Sequence, residues 1–106
     1  SSPASSIRSG MAMLARIGQT KMSSMYDTQI RSLGPAGTIP LIAFVRSPKS
    51  LNDPGLRHQA MQIIADLAPA SARNDLESLA NDSDVTVSQF ASAALERLSK
   101  QRSGQG

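Results

Sequence analysis

Cysteine and tryptophan are absent from this 106-residue chain, and His58 is its one histidine. Without thiols there is no disulfide framework, no zinc-thiolate site and no cysteine nucleophile. Aromatic residues amount to 3%, namely Tyr26, Phe44 and Phe90, against 40% hydrophobic residues in all. A core must therefore be assembled from Leu, Ile, Val, Met and Ala, and the alternation of β-branched and aromatic residues that marks sheets is missing. No apolar run approaches the ~18 residues that cross a bilayer as a helix. These shortages point to an all-helical chain forming one domain, within the size that a single core supports.

The basic residues form no run. Eleven Lys and Arg against eight Asp and Glu give a net charge of +3, and the isoelectric point is about 10.0. Arg8, Arg16, Lys21, Arg31, Arg46, Lys49, Arg57, Arg73, Arg97, Lys100 and Arg102 are spread along the whole chain. A phosphate-tracking surface needs clustered charge, because affinity grows with the number of phosphates neutralised together. The excess reads as solvated helix faces, with a nucleic-acid-binding helical repeat as the alternative.

What is present is helical periodicity broken by Gly and Pro. Residues 1–6 (SSPASS) have neither charge nor an apolar face and read as a flexible leader. Ile7, Met11, Leu14 and Ile17 form the first helical stripe, ended at Gly18. A second helix spans 22–33, before Gly34 and Pro35. A third helical segment, 36–45, has Thr38 as its cap, Pro40 in the first turn and Leu41, Ile42, Phe44 and Val45 on its apolar side. Residues 46–54 (RSPKSLNDP) form the longest loop. The fourth helix covers 55–68, capped by Asn52 or Asp53, with Pro54 in its first turn and Pro69 stopping it. A brief fifth helix over 71–80 turns Leu76 and Leu79 inward. After the turn 81–84, Asp84 caps a sixth helix that ends near Lys100, and 101–106 is a fraying tail.

The second, fourth and sixth helices correspond position by position. Met22, Leu56 and Val87 superpose by shifts of 34 and 31 residues. Four residues on stand Tyr26, Ala60 and Ala91; eight on, Ile30, Ile64 and Leu95; eleven on, Leu33, Leu67 and Leu98. Such a period marks stacked helical repeats, here over about 7–34, 35–68 and 69–100. In this pattern, in 81–98 (NDSDVTVSQFASAALERL) and in the junction Leu33-Gly34-Pro35 leading into Ile39-Pro40-Leu41-Ile42, the chain resembles the HEAT-repeat family and, more loosely, its armadillo relatives. The resemblance covers residues 5–100. It implies a right-handed α-α superhelix of three helical hairpins whose second helices line a concave face. Arg57 matches the Arg that often follows the first apolar position of the second helix; Ser23 and Ser88 stand at the equivalent positions, which argues against a repeat-to-repeat ladder of ion pairs.

The resemblance implies a protein-interaction or scaffolding module rather than an enzyme. Its candidate concave contacts are Asp27, Thr28 and Arg31, then Arg57, His58 and Gln62, then Gln89, Ser92 and Glu96, with Lys49 and Asn52 of the longest loop as a second contact. Their mixed polarity suits a protein or peptide partner. Bilin lyases and DNA glycosylases with HEAT-like folds keep an enzyme or enzyme subunit as a more distant alternative. Against catalysis, His58 lacks metal-ligating neighbours, no Ser sits in a Gly-x-Ser-x-Gly turn, and Gly34-Pro35-Ala36-Gly37 is not followed by the Lys-Ser or Lys-Thr of a phosphate loop. Asn81, Asp82 and Asp84 lack the later ligands of a calcium loop, since Thr86 and Ser88 follow. No cofactor is called for. Of the methionines, Met11, Met13, Met22 and Met25 fall in the first repeat. If that repeat closes a free end, Met11 or Met13 is buried; an exposed cluster would signal a missing neighbour, since three repeats are about the minimum for stability and the chain would then be part of a longer array.

Overall fold

Polar caps and prolines set the helix boundaries in the computed structural model, which describes residues 3–16 and 21–105, and the side chains of 3–15 and 21–101. The first helix, α1 (Pro3–Arg16), begins within the expected leader. Ile7 and Met11 are buried on it, while Ile17 and Gly18 lie outside the described residues. Helix α2 (Ser24–Ser32) starts later than the apolar stripe, because the Ser23 hydroxyl accepts from the Tyr26 amide at 3.2 Å. Met22 precedes the helix, buried, with its amide donating to Gln59 Oε1 at 2.9 Å.

Gly34 turns the chain at φ 62°, where an L side chain is strained, and Pro35 then opens α3 (Pro35–Arg46). The expected start at Thr38 is therefore a turn too late. Pro35 at the first helical position needs no N–H, so the helix forms before Thr38, whose hydroxyl donates to the Pro35 carbonyl at 2.7 Å. Pro40 lies inside the helix. Leu41, Ile42, Phe44 and Val45 are buried as the pattern requires. The connection that follows is a 3-10 turn over Pro48–Asn52, pinned by the buried Ser50 hydroxyl, 2.9 Å from the Val45 carbonyl and 2.8 Å from that of Ser47.

Asp53 caps α4 (Pro54–Leu67), its Oδ1 accepting from the Leu56 amide at 3.2 Å. Ala68 ends that helix in the left-handed region at φ 33°, ahead of Pro69. A 3-10 turn (Ala70–Ala72) runs into α5 (Arg73–Leu79), which buries Leu76 and Leu79. Asp84 then accepts from the Thr86 and Val87 amides at 3.0 and 3.3 Å, opening α6. Helix α6 (Val85–Gln105) continues through most of the expected tail.

The described residues hold six α-helices and no strand. Helix α3 packs on α1 and α4, α4 on α6, and α5 on α6; α2 makes smaller contacts with α3 and α4. One core runs through the molecule from Ile7 to Leu98, with Met22, Leu56 and Val87 all buried at equivalent places. Helices adjacent in sequence touch in the later part of the chain, α3 with α4 and α5 with α6. The first pair is looser: α1 lies chiefly on α3, and Tyr26 of α2 reaches it by donating its hydroxyl to the Ile7 carbonyl at 3.0 Å. Met11 is fully buried and Met13 is 53% exposed, so the two methionines divide between core and surface.

Candidate functional site

Helices α2, α4 and α6 carry the residues singled out as concave contacts, and two polar networks link them. In the first, Arg31 of α2 pairs with Asp27 one turn earlier and, at 2.8 Å, with Asp66 of α4. Gln59 of α4 joins by donating to Asp27 at 3.4 Å. The hydrogen bonds to Asp66 and Asp27, with their charges, hold the Arg31 guanidinium above its ordinary pKa against the opposing effect of burial. Asp27 and Arg31 are thus brought together, and their charge is cancelled where it stands.

The second network corrects the expectation for Arg57. It does not face outward: its side chain is 7% exposed and reaches from α4 to the α5–α6 turn, donating to Asp84 Oδ2 at 2.8 Å and Asp82 Oδ2 at 3.3 Å. The physical reason is that the turn places two carboxylates over the start of α4, and a guanidinium fork satisfies both at once. His58 is half-buried beside it, with Nε2 2.9 Å from the same Asp84 oxygen. Burial alone would push the Asp84 carboxyl up. The hydrogen bond from His58, the Val87 and Thr86 amides and the nearby His58 charge outweigh burial and hold it below the usual value.

Between these networks lies a groove of about 510 Å³ lined by Lys21, Gly55, His58, Gln59, Gln62, Thr86 and Phe90. It brings together His58 and Gln62 of the sequence-derived set. Gln89 and Glu96 are exposed on α6 outside this lining, and Glu96 pairs with Lys100, one turn on, at 3.4 Å. Lys49 and Asn52 are exposed on a different groove, between α1 and the 3-10 turn.

Sequence reasoning missed Lys21, Gln59, Thr86 and Phe90. A signal for two of them existed. Phe90 and Gln59 occupy the same register, three residues after Val87 and Leu56, and Met25 stands there in α2, 73% exposed. Phe90 belongs to the groove wall as well as to the core edge.

Chemically the groove offers the Gln62 amide, the Lys21 ammonium, a hydroxyl from Thr86 and an aromatic ring. Among the described residues no three His, Cys, Asp or Glu side chains are grouped to hold a metal ion. No helix among them is long and apolar enough to cross a membrane. No family model, curated protein or solved structure matches this chain.

Proposed function

We propose that this chain is a HEAT-like helical-repeat module that binds a protein or peptide partner without catalysing a reaction, and that the groove between α4 and α6 is its contact. The observation that carries this reading is the division of labour on the face. Arg31 and Arg57 are paired with carboxylates, leaving Lys21 as a cation of the groove with no ion pair among the described residues, while Gln62, exposed and making no hydrogen bond to the described residues, stands beside the half-buried ring of Phe90. An extended segment can place a backbone amide on Gln62 and an apolar side chain against Phe90, on a wall that loses little entropy because Arg31 and Arg57 hold it in place. Two features support the HEAT-like arrangement. The equivalent positions Met22, Leu56 and Val87 are all buried, and Arg57 of the second repeat reaches the cap residue of the third, Asp84. The nucleic-acid alternative has less support, since Arg31, Arg46 and Arg57 are engaged by carboxylates.

A photo-crosslinking residue at Gln62, compared with one at the exposed Glu77 of α5, tests the proposal in source-cell lysate. We expect a protein crosslinked at 62 and not at 77, and lost when Phe90→Ala is added with the helical circular dichroism unchanged. Identical products from both positions, or nucleic acid as the product at 62, would remove the groove as the contact.

A further inference from the structure

The acidic side chains of this molecule are largely committed within it. Arg31 holds Asp27 and Asp66, Arg46 holds Asp75, Arg57 holds Asp82 and Asp84, and the buried Asp53 caps α4. The first acidic residue of the chain is Asp27, whereas Arg8, Arg16 and Lys21 precede it. From Asp27 onward eight basic residues balance eight acidic ones, so the whole net charge of +3 belongs to the segment that contains α1.

Of those three residues, Arg8 stands on α1, the helix that borders a second concave surface, whereas Lys21 lines the α4–α6 groove. A groove of about 490 Å³ lies between α1 and the 3-10 turn, lined by Ser9, Ala12, Met13 and Ala15 on one side and Lys49 and Asn52 on the other. Lys49 and Arg8 are both exposed, and neither forms an ion pair among the described residues. Arg8 stands one helical turn before Ala12. Among the described residues no carboxylate lines the groove.

We infer that this groove docks an acidic segment of a partner protein, with one large apolar side chain seated over Ala12 and Ala15 and carboxylates directed to Lys49 and Arg8. The small Ala12 and Ala15 side chains leave space that a large side chain fills, and the unbranched Met13 adapts to its shape. Apolar burial supplies affinity; the unpaired cations orient the segment and reject basic competitors. A nucleic-acid backbone fits less well, because one cation among the described lining residues neutralises too few phosphates. A bilayer fits less well too, since it engages an outward apolar face and not a recess. This surface is separate from the α4–α6 groove and stands or falls without it.

Panning a displayed library of random peptides on the full chain, followed by fluorescence anisotropy with the enriched peptides, tests the inference. The expected peptides carry Asp or Glu around a Leu, Phe or Trp. They should bind about tenfold more weakly to Lys49→Glu and to Ala12→Trp, and equally well to Gln62→Arg, which alters only the α4–α6 groove. Circular dichroism checks that each variant is folded, and the exposed Lys49 keeps the test valid if Ala12→Trp is not. A library that yields no binder, enriched peptides without acidic residues, or binding indifferent to Lys49→Glu would overturn it. So would capture of phosphatidylserine vesicles or duplex DNA that depends on Lys49.

Discussion

The Arg57 guanidinium is almost enclosed, bridges two carboxylates, and leaves its own Nε buried without a hydrogen-bond partner. Removing it would take the guanidinium from both Asp82 and Asp84 and leave Asp84 with only His58 and the Thr86 and Val87 amides. Arg57→Ala should therefore lower the unfolding free energy by about 2–4 kcal/mol in a urea titration, with Arg57→Lys recovering part of the loss because it restores charge but not the fork. An effect near zero would mean that water replaces the pair without cost. Asp84 sets a second expectation. Its folded pKa lies below the ordinary carboxylate value, so its stabilising effect is present above that value and disappears as pH falls through the folded one. Between about pH 5 and pH 2 the wild-type chain should lose more stability than Asp84→Asn. Parallel curves would show that Asp84 contributes nothing to acid unfolding. The sequence announced Asp84 as a cap but concealed its bond to Arg57, because those residues stand 27 positions apart and only the approach of α4 to the α5–α6 turn joins them.

Helix contacts are limited by what stands between them, and at Gly37 α3 lies directly against the α2 backbone. A methyl group there would overlap the Ile30 carbonyl oxygen, a backbone atom that cannot rotate away. Alanine would favour the helix itself by about 1 kcal/mol, yet we expect Gly37→Ala to destabilise the chain by about 1–3 kcal/mol through the forced separation of the two helices. A stabilised variant in thermal unfolding would refute the close approach. Most helix ends were legible: Asp53 before Pro54, Pro69 after α4 and Asp84 before α6 are local signals that act over one turn. The start of α3 was not. Thr38 and Pro40 mimic a cap followed by a first-turn proline, but Pro35 offers the same preorganised φ earlier, and the helix takes the longer form. Arg57 was misplaced for a related reason, since a charged residue one place after a core position reads as solvent-facing until a neighbouring turn covers it.

Across the whole molecule the contacts form a chain, α1 to α3 to α4 to α6, with a radius of gyration of 13.3 Å and extents of 46 × 30 × 21 Å. A compact fold of this length has a radius of about 13 Å, so the elongation is mild and the core continuous. Unfolding should therefore be one cooperative transition. Tyr26 is the lone tyrosine and there is no tryptophan, so intrinsic fluorescence reports the α1–α2 end while circular dichroism reports all helices. The two denaturation curves should coincide. An earlier fluorescence transition would show that the loosely joined first helices melt separately. The sequence by itself determined the helical class, the element order and most of the core, because helical periodicity and proline chemistry act over a few residues. Only the tertiary structure decided that Arg57 is interior, that His58 and Gln62 share a groove with Phe90, and that α1 lies against the 3-10 turn beside Lys49. Those facts depend on how helices distant in sequence approach one another, and the burial or exposure of a polar group follows from its neighbours in space.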